Sequence, residues 1–299
     1  MATPLGMPTV TALDQLPLSP DQIYSACKLT TPFLARDLIR GQTVIPRQNN
    51  QTLLDRFFTS SRRYCLLRGP SGVGKSIVIA GEANRLLEDG WAALLMRAQD
   101  FSLQYLAERI AQDGLQLPTT PGWRRVVVEP WEGELPSHVR GFALLIDALD
   151  EADISKIVPE LLKLHDGLGG VPPDCLKIIL SCHDFIWDKL SRQVPFWQDA
   201  GTFSHQTASG VEVITITDFE AVELDSALRT INATELVTPR RPGEWADPHV
   251  EAIRNLLQHP ATFGLYAELH GSGDIPSIQN LTWSRLIERY LGKALIEAA

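Results

Sequence analysis

The eight residues Gly69-Pro70-Ser71-Gly72-Val73-Gly74-Lys75-Ser76 determine how the rest of this 299-residue chain is interpreted. They fit the pattern G-x-x-x-x-G-K-[ST], in which glycines allow backbone N–H groups to surround a phosphate at the start of a helix. The lysine of this pattern reaches the outer phosphates of a nucleotide, and the serine hydroxyl binds Mg²⁺. A glycine-rich turn can also match such a pattern by chance. The pattern is therefore meaningful only if a strand precedes it and a helix follows it.

The residues on both sides of this loop have the required character. Tyr64–Leu67 is a short apolar run, and Ser76–Asp89 has the composition of a helix that ends before Gly90. A strand–loop–helix unit holds phosphates at the N-terminus of its helix, where the backbone dipole favours anions. We therefore predict that this loop binds ATP or ADP together with Mg²⁺. The predicted binding residues of the loop are Gly69, Ser71, Gly72, Val73, Gly74, Lys75, Ser76 and Ile77.

A second motif, Phe142–Glu151, is an apolar strand that ends in the acidic residues Asp147, Asp150 and Glu151. Ligands of open α/β sheets bind at the carboxyl ends of the strands, which is where this motif delivers Asp147. We predict that Asp147 and Ser76 hold Mg²⁺. Asp150 and Glu151 are predicted catalytic residues that orient or deprotonate the attacking water. The alternative is that these acids only cap a helix, since carboxylates are favourable at helix N-termini.

Five apolar runs alternate with helical segments over the middle of the chain. Runs of near-continuous Ile, Leu and Val separated by helices are typical of a parallel sheet that is covered on both faces. We therefore predict an α/β fold of three layers over residues 41–216. The predicted strands are Tyr64–Leu67, Trp91–Met96, Phe142–Ile146, Leu176–Ser181 and Val211–Ile216.

The two ends of the chain have a different character. Residues 1–40 are predicted to be an irregular leader followed by short helices, the first capped by Ser19 and the second opened by Thr31-Pro32. The strand signal disappears in residues 217–299, which are predicted to form a small all-helical subdomain. A capping box at Thr217–Glu220 is predicted to open its first helix. Its later helices are predicted at residues 247–257, 261–269 and 283–297.

Composition and charge exclude several other classes of protein. The formal net charge is -9, which gives no general attraction to nucleic acid or anionic membranes. The basic segment Trp123–Val128 is explained more simply as a strand or loop edge than as a nucleic-acid contact. No apolar run approaches the ~20 residues of a membrane span, the N-terminus lacks a signal-peptide pattern, and the cysteines lack zinc-ligand spacing. We predict a cytoplasmic protein without membrane contact.

The combination of GPSGVGKS at 69–76 with LLIDALDEA at 144–152 resembles the NACHT proteins and the wider STAND class of signal-transduction ATPases. This class includes the switch modules of NOD-like receptors, plant resistance proteins and bacterial antiphage sensors. The resemblance implies a P-loop NTPase sheet of the additional-strand type, in which an extra strand separates the strand before the loop from the strand ending in Asp147. It also implies a Mg²⁺-dependent ATPase that acts as a conformational switch in signalling or defence.

Three further segments resemble motifs of the same class less closely. Val44–Arg47 resembles the adenine-side entry motif, with proline in place of the usual glycine. Lys177–His183 resembles the sensor 1 strand, with histidine in place of the usual arginine, and Leu256–Pro260 resembles the helical-domain motif whose proline packs near the adenine. A surface imidazole and a plain helix start are the alternative explanations of the last two. The nucleotide contacts that this resemblance implies are Arg47, His183 and Pro260.

Three functions are compatible with these motifs. The first is a switch ATPase with slow turnover, acting through self-association or through effector and sensor proteins. The second is a scaffold that binds nucleotide without hydrolysing it, which His183 favours. The third, a kinase or a DNA-directed loader, lacks an evident acceptor site and a basic face. No guanine-reading N-K-x-D motif is present, so we expect ATP rather than GTP, and we expect effector and sensor regions on a longer protein or on partner chains.

Overall fold

The computed structural model describes residues 18–40, 44–117, 119–190, 192–193, 211–237, 248–273 and 281–297. Its strands are β1 (Tyr64–Arg68), β2 (Trp91–Arg97), β3 (Gly141–Asp147), β4 (Leu176–Cys182) and β5 (Val211–Thr215). They form one sheet in the order β2-β3-β4-β1-β5, and every neighbouring pair is parallel. β4 therefore lies between β1 and β3. The predicted parallel sheet of the additional-strand type is confirmed.

The central strands are apolar because both faces of the sheet are covered. All residues of β3 and β4 are buried, including Lys177 in β4. The Nζ atom of Lys177 donates to the backbone oxygens of Ser60 at 2.5 Å and Arg62 at 2.7 Å, so its polar group is satisfied. Burial lowers the pKa of Lys177 to about 8. This lysine lies near the amino end of the sheet, away from the loop at 69–76.

Helices flank the sheet along the described part of the chain before β5. They are α1 (Pro20–Leu38), α2 (Gln48–Phe58), α3 (Lys75–Glu88), α4 (Leu103–Glu108), α5 (Trp123–Val127), α6 (Ile154–Gly167) and α7 (Asp184–Leu190). The largest apolar core joins residues of these helices to the sheet. No helix within the ranges given above combines the length and the apolar character that crossing a membrane requires.

The N-terminal helix α1 differs from the prediction of two short helices. Ser19 caps it with a complete capping box, as predicted, but Pro32 lies inside one continuous helix. The side chain of Thr31 accounts for this continuity, because it bonds to the outer edge of β2. Its Oγ1 donates to the Ala93 oxygen at 2.7 Å and accepts from the Leu95 N–H at 3.3 Å. The helix is thus held along the strand at the point where the sequence suggested a break.

The basic segment at 123–128 was predicted to be a strand or loop edge, and this prediction is wrong. The structure forms helix α5 there, with its valines buried in the core. The ring of Trp123 lies against Gly167, where a side chain would meet the Trp123 Cζ2 atom at 3.1 Å. Arg124 donates from Nη1 to the Gly167 oxygen at 3.1 Å. Packing of Trp123 and capping of α6 by Arg124 therefore explain this helix.

The helical subdomain follows β5. Its helices are α8 (Ala221–Thr230), α9 (Pro248–Leu257), α10 (Pro260–Ser272) and α11 (Trp283–Glu297). They surround a second apolar cluster, distinct from the main core, to which Ile45 also belongs. The predicted helical character of the C-terminal region is confirmed for the residues that the structure covers.

The first helix of the subdomain begins later than predicted. The capping box is formed by Glu220 and Glu223 rather than by Thr217 and Glu220, and α8 begins at Ala221. The backbone just before α8 forms hydrogen bonds with distant parts of the chain. The Thr217 oxygen accepts a hydrogen bond from Arg47 at 2.6 Å, and the Phe219 N–H donates to the Gln258 oxygen at 2.8 Å. These long-range bonds keep the segment extended.

Candidate functional site

The loop at residues 69–76 connects β1 to α3 and turns at its glycines. Gly72 and Gly74 have φ angles of 78° and 91°, which lie in the left-handed region that glycine adopts easily. Gly74 is also the residue before α3, so the N–H groups of the first helical turn lie at the end of the loop. The predicted strand–loop–helix unit is therefore confirmed.

The two residues that follow Gly74 have different neighbours. Lys75 donates from Nζ to the backbone oxygens of Gly69 at 2.9 Å and Pro70 at 2.8 Å. The hydroxyl of Ser76 lies near the carboxylate of Asp147 and acts to lower its pKa. The fold thus brings together the two residues that the sequence predicted to hold Mg²⁺.

Asp147, the last residue of β3, is a buried carboxylate held by hydroxyl groups. It is 2% exposed, and its Oδ1 accepts from the Ser181 hydroxyl at 2.5 Å. Burial raises the pKa of Asp147, while the hydroxyls of Ser181 and Ser76 act in the opposite direction. Ser181 also accepts from the Ala148 N–H at 2.8 Å and so joins β4 to the turn after β3.

The acids after Asp147 lie on a short 3₁₀ turn, Leu149–Glu151. The turn is entered through Ala148, which has a φ angle of 61°. Asp150 accepts from the His183 N–H at 3.0 Å, whereas Glu151 is exposed. The Asp150 carboxylate therefore links the turn to the end of β4, and Glu151 is the more accessible carboxylate.

A cavity of about 360 Å³ lies between this edge of the sheet and the helical subdomain. Three groups of residues border it: the loop and the start of α3, the ends of β3 and β4, and one face of α10 with a residue of α11. The lining residues are Ser71, Gly72, Gly74, Lys75, Ser76 and Ile77; Ala148, Asp150, Glu151 and Ser181; and Pro260, Ala261, Gly264, Leu265, Glu268 and Tyr290. Most residues predicted from the two main motifs therefore meet in one place.

A smaller, mainly apolar cavity of about 30 Å³ lies beside the first. Pro260, Gly264, Gly74 and Ile77 border both cavities. The other residues around the small cavity are Ile45, Arg47, Val78, Phe219 and Phe263. Arg47 and Pro260, which were predicted from separate weak motifs, thus lie together next to the loop.

The start of α10 contacts the loop directly. The Ala261 N–H donates to the Gly72 oxygen at 3.1 Å. A side chain at Gly72 would meet the His259 ring at 2.7 Å and the Ala261 Cβ at 3.1 Å. Gly72 therefore serves the loop in two ways: it permits the turn, and it leaves space for the subdomain to approach.

His183 follows β4, as the predicted sensor position requires, but its imidazole has a local partner. The Nδ1 atom accepts from the Phe185 N–H at 3.2 Å, which caps α7. Among the residues that the structure covers, the lining of the large cavity does not include His183. Its contact with nucleotide stays a prediction.

The strand order, the loop after β1 and the buried acid at the end of β3 together decide the fold. The chain has the fold of a P-loop NTPase. No protein-family model matches it, and no curated protein matches it.

Several solved structures are similar to this chain. One is a Walker-type ATPase of Pyrococcus abyssi, with 16% identity, a TM-score of 0.47, and coverage of 85% of this chain and 74% of that chain. Another is Cdc6p from Pyrobaculum aerophilum, with 15% identity, a TM-score of 0.44, and coverage of 79% and 62%. A third is S. cerevisiae Hsp104 in a complex with casein, with 13% identity, a TM-score of 0.46, and coverage of 82% and 40%. This likeness concerns the fold alone.

The residues near Asp147 have the chemistry of a magnesium site that is completed by phosphates. Mg²⁺ prefers oxygen ligands and is usually bound by one or two protein groups together with substrate phosphates and water. The Ser76 hydroxyl and the Asp147 carboxylate, which lie near each other, are such groups. No cluster of three or more His, Cys, Asp or Glu residues suited to a metal occurs in the described ranges. The oxygens of Ser76 and Asp147 fit a Mg²⁺ ion that nucleotide phosphates also bind.

Several residues of the site were not predicted from the sequence. Ser181 had a detectable signal, because it is a polar residue near the carboxyl end of a buried strand. Its partner in β1 is Leu67, whose strand leads into the loop. Glu268 and Tyr290 had no such signal, because they reach the cavity only through the packing of α10 and α11.

Proposed function

We propose that this chain binds ATP or ADP with Mg²⁺, hydrolyses the triphosphate slowly, and uses the bound nucleotide to set the position of its helical subdomain. The observation that carries the proposal is the cavity of about 360 Å³ bordered by the loop, the acids after β3 and the start of α10. Small-molecule sites typically have volumes of about 300–1,000 Å³. A nucleotide in this cavity touches the sheet domain and the subdomain together.

In this proposal the loop binds the phosphates. The N–H groups at the start of α3 donate to phosphate oxygens, and the glycines let the backbone approach closely. The Lys75 ammonium exchanges the neutral oxygens of Gly69 and Pro70 for the charged outer phosphates, which are stronger acceptors. Mg²⁺, when bound, neutralises part of the phosphate charge, and Ser76 and Asp147 hold it.

The base is assigned to the small apolar cavity beside Pro260, Ile77 and Arg47. Its volume of about 30 Å³ has room for roughly two water molecules, which is less than a purine requires. Pro260 and Gly264 of α10 form part of its wall. A base at this position contacts α10, so the bound nucleotide acts on the position of the subdomain.

Glu151 is proposed as the residue that orients or deprotonates the attacking water. It borders the large cavity and is exposed, so a water molecule can reach it. Asp150 borders the same cavity but already accepts from the His183 N–H at 3.0 Å. We assign Asp150 a supporting role in holding the turn and Glu151 the principal catalytic role.

A second candidate function is a scaffold that binds nucleotide without hydrolysing it. The observation that favours it is the engagement of the His183 imidazole with the Phe185 N–H. A side chain that caps α7 does not supply the cation that stabilises charge on a transferring phosphoryl group. The intact set of Asp147, Asp150 and Glu151 favours hydrolysis instead.

The wider role rests on the resemblance of the two main motifs to NACHT and STAND proteins. We propose action in signalling or defence, through self-association or through effector and sensor proteins, in the cytoplasm. We also propose the division of the chain into residues 41–216 and 217–299. Helix α1, which packs against β2 and α3, belongs with the first of these parts.

Titration calorimetry with ATP and ADP, with and without Mg²⁺, tests binding, and steady-state phosphate release tests turnover. We expect Glu151→Gln to leave ATP affinity within about threefold and to lower turnover by about 100-fold, the usual contribution of a general base. Glu251→Gln, at an exposed position of α9, is the matched control. Equal phosphate release by Glu151→Gln and the parent contradicts the catalytic assignment. Binding without turnover in the parent supports the scaffold.

A further inference from the structure

Arg47 occupies a junction between parts of the chain that are far apart in sequence. It precedes α2 and is only 8% exposed. Its Nη2 donates to the Val73 oxygen at 2.8 Å, and its Nη1 donates to the Thr217 oxygen at 2.6 Å. The guanidinium also lies 4.6 Å from the centre of the Phe219 ring. Both terminal nitrogens and one face of the group are therefore engaged with protein.

The partners of Arg47 belong to the two parts that the proposed switch has to connect. Val73 lies within the phosphate-binding loop, between Gly72 and Gly74. Thr217 and Phe219 form the connection from β5 to the helical subdomain. The Phe219 N–H donates to the Gln258 oxygen at 2.8 Å, and the Phe219 ring packs edge-on against Phe263 of α10 with the centres 5.7 Å apart. Arg47 is thus in contact with the loop on one side and, through Phe219, with α10 on the other.

The charge of Arg47 is retained in this buried position. Burial lowers the pKa of its guanidinium, and the nearby carboxylates of Glu223 and Asp218 act in the opposite direction. Arginine nevertheless stays protonated in proteins. Its planar group fixes the directions of its two donors, so a displacement of the Val73 oxygen has to be followed by the side chain or has to break the bond.

We infer that Arg47 is a positioning residue that couples the phosphate-binding loop to the helical subdomain. A nucleotide that reshapes the loop around Gly72 and Gly74 changes the position of the Val73 oxygen. Because the Arg47 guanidinium also bonds to Thr217 and packs on Phe219, these residues move with the Val73 oxygen. Phe219 packs against Phe263, so α10 moves as well. The inference rests on the proposed nucleotide binding and identifies the side chain that links the loop to the subdomain.

A lysine at position 47 separates coupling from simple charge. Lysine retains the positive charge but lacks the planar fork that reaches two separate oxygens. For Arg47→Lys we expect a loss of ADP affinity, because Arg47 borders the cavity assigned to the base, so exchange is compared at ADP concentrations that saturate each variant. We expect ADP to protect the amides of residues 69–76 from hydrogen exchange as in the parent. In Arg47→Lys, however, ADP should no longer protect the amides of residues 256–272.

Arg56→Lys is the matched control, because Arg56 is an exposed arginine of the neighbouring helix α2. The readout is the difference in amide exchange with and without ADP, compared between residues 69–76 and residues 256–272. If Arg47 were needed only for the folded structure, its replacement would not remove the ADP effect at residues 256–272 alone. If Arg47→Lys does not fold, Phe219→Leu is judged by the same criterion, since it removes the aromatic face and keeps an apolar residue.

The possible results separate this inference from the proposed function. Protection of both regions in the parent, with loss at 256–272 alone in Arg47→Lys, supports the inference. Protection of both regions in Arg47→Lys and in Phe219→Leu overturns it and leaves nucleotide binding intact. A parent that binds neither ADP nor ATP overturns the proposed function and the coupling role together.

Discussion

The two ends of the sheet each contain a buried charged side chain, but the two are satisfied in different ways. At the amino end, Lys177 donates to two backbone carbonyls, and Arg63 likewise donates to two backbone carbonyls after α6. At the carboxyl end, Asp147 accepts from the hydroxyl of Ser181 and lies near that of Ser76, and both serines border a cavity. Backbone carbonyls are fixed by the fold, whereas hydroxyls beside a cavity can rotate and keep a lone pair for a further partner.

This contrast shows that burial of a charge does not by itself identify a functional site. Burial disfavours the charged form at both ends: it lowers the pKa of Lys177 to about 8 and raises the pKa of Asp147. The distinguishing feature is the nature of the partners and the presence of space. Lys177 therefore has a structural role, and Asp147 is the candidate for ligand binding.

The largest expected effect is at the carboxyl end. Lys75→Ala should weaken ATP binding by at least about 100-fold, because it removes a charged donor to the phosphates. The free energy of unfolding without nucleotide should change little, since the bonds of Lys75 within the described residues go to carbonyls of its own loop. Calorimetry and urea unfolding measure the two quantities. Undiminished ATP affinity in Lys75→Ala removes the basis for assigning ligand binding to this end of the sheet.

Asp147→Asn sharpens the comparison at the same end. Loss of the carboxylate should lower the affinity of the ATP-bound protein for Mg²⁺ by about 10–100-fold. The folded protein disfavours the ionised form of Asp147, because its pKa is raised. The contribution of Asp147 to stability is therefore present below its ordinary pKa and decreases as pH rises through the raised pKa. At pH 7 and without ligand, Asp147→Asn should be at least as stable as the parent.

At the amino end the expected pattern is reversed. Lys177→Met should reduce the free energy of unfolding by about 1–3 kcal/mol, because the partly buried oxygens of Ser60 and Arg62 lose their donor. ATP affinity should stay within about threefold of the parent, because the site lies at the other end of the sheet. Lys156→Met, at an exposed position of α6, is the control. A variant of Lys177 that folds normally but no longer binds ATP contradicts the division of roles.

The last expected effect is the pH dependence caused by Lys177. Between pH 8 and 10.5, the unfolded lysine binds a proton that the folded lysine has lost. Its contribution to stability therefore rises with pH over this window, by up to about 1.4 kcal/mol per pH unit. Urea unfolding at pH 7.5 and 9.5 gives the free energies of unfolding of the parent and of Lys177→Met. The difference between the two proteins at each pH isolates the contribution of Lys177, because the other titrating groups are common to both. A difference that does not change with pH indicates an unshifted lysine.

The parts of the fold and site that were predictable from the sequence are those with local patterns. The loop at 69–76, the strand that ends in Asp147 and the apolar runs of the sheet are each recognisable within a few residues. Their combination was sufficient to predict the parallel sheet. Periodicity and turn chemistry act over such short distances, which is why these predictions are confirmed.

The parts that were not predictable depend on backbone groups contacted from far away. Arg47 binds the oxygens of Val73 and Thr217, and any residue type can supply a carbonyl oxygen. Thr31 was predicted to begin a second helix. Its role in holding α1 to β2 could not be recognised, because it depends on residues that are distant in sequence. Trp123 suggested a strand for the same reason, since its partner Gly167 lies in another helix.

The bonds from Thr31 to β2 have a practical consequence for how this chain can be shortened. One hydroxyl takes the place of a neighbouring strand: it accepts from the Leu95 N–H and donates to the Ala93 oxygen. A chain that starts at residue 44 keeps the phosphate-binding loop but leaves these groups without that partner. An open strand edge is a template for pairing with another molecule. Shortened forms that begin after α1 should therefore aggregate, however well the nucleotide site itself is preserved.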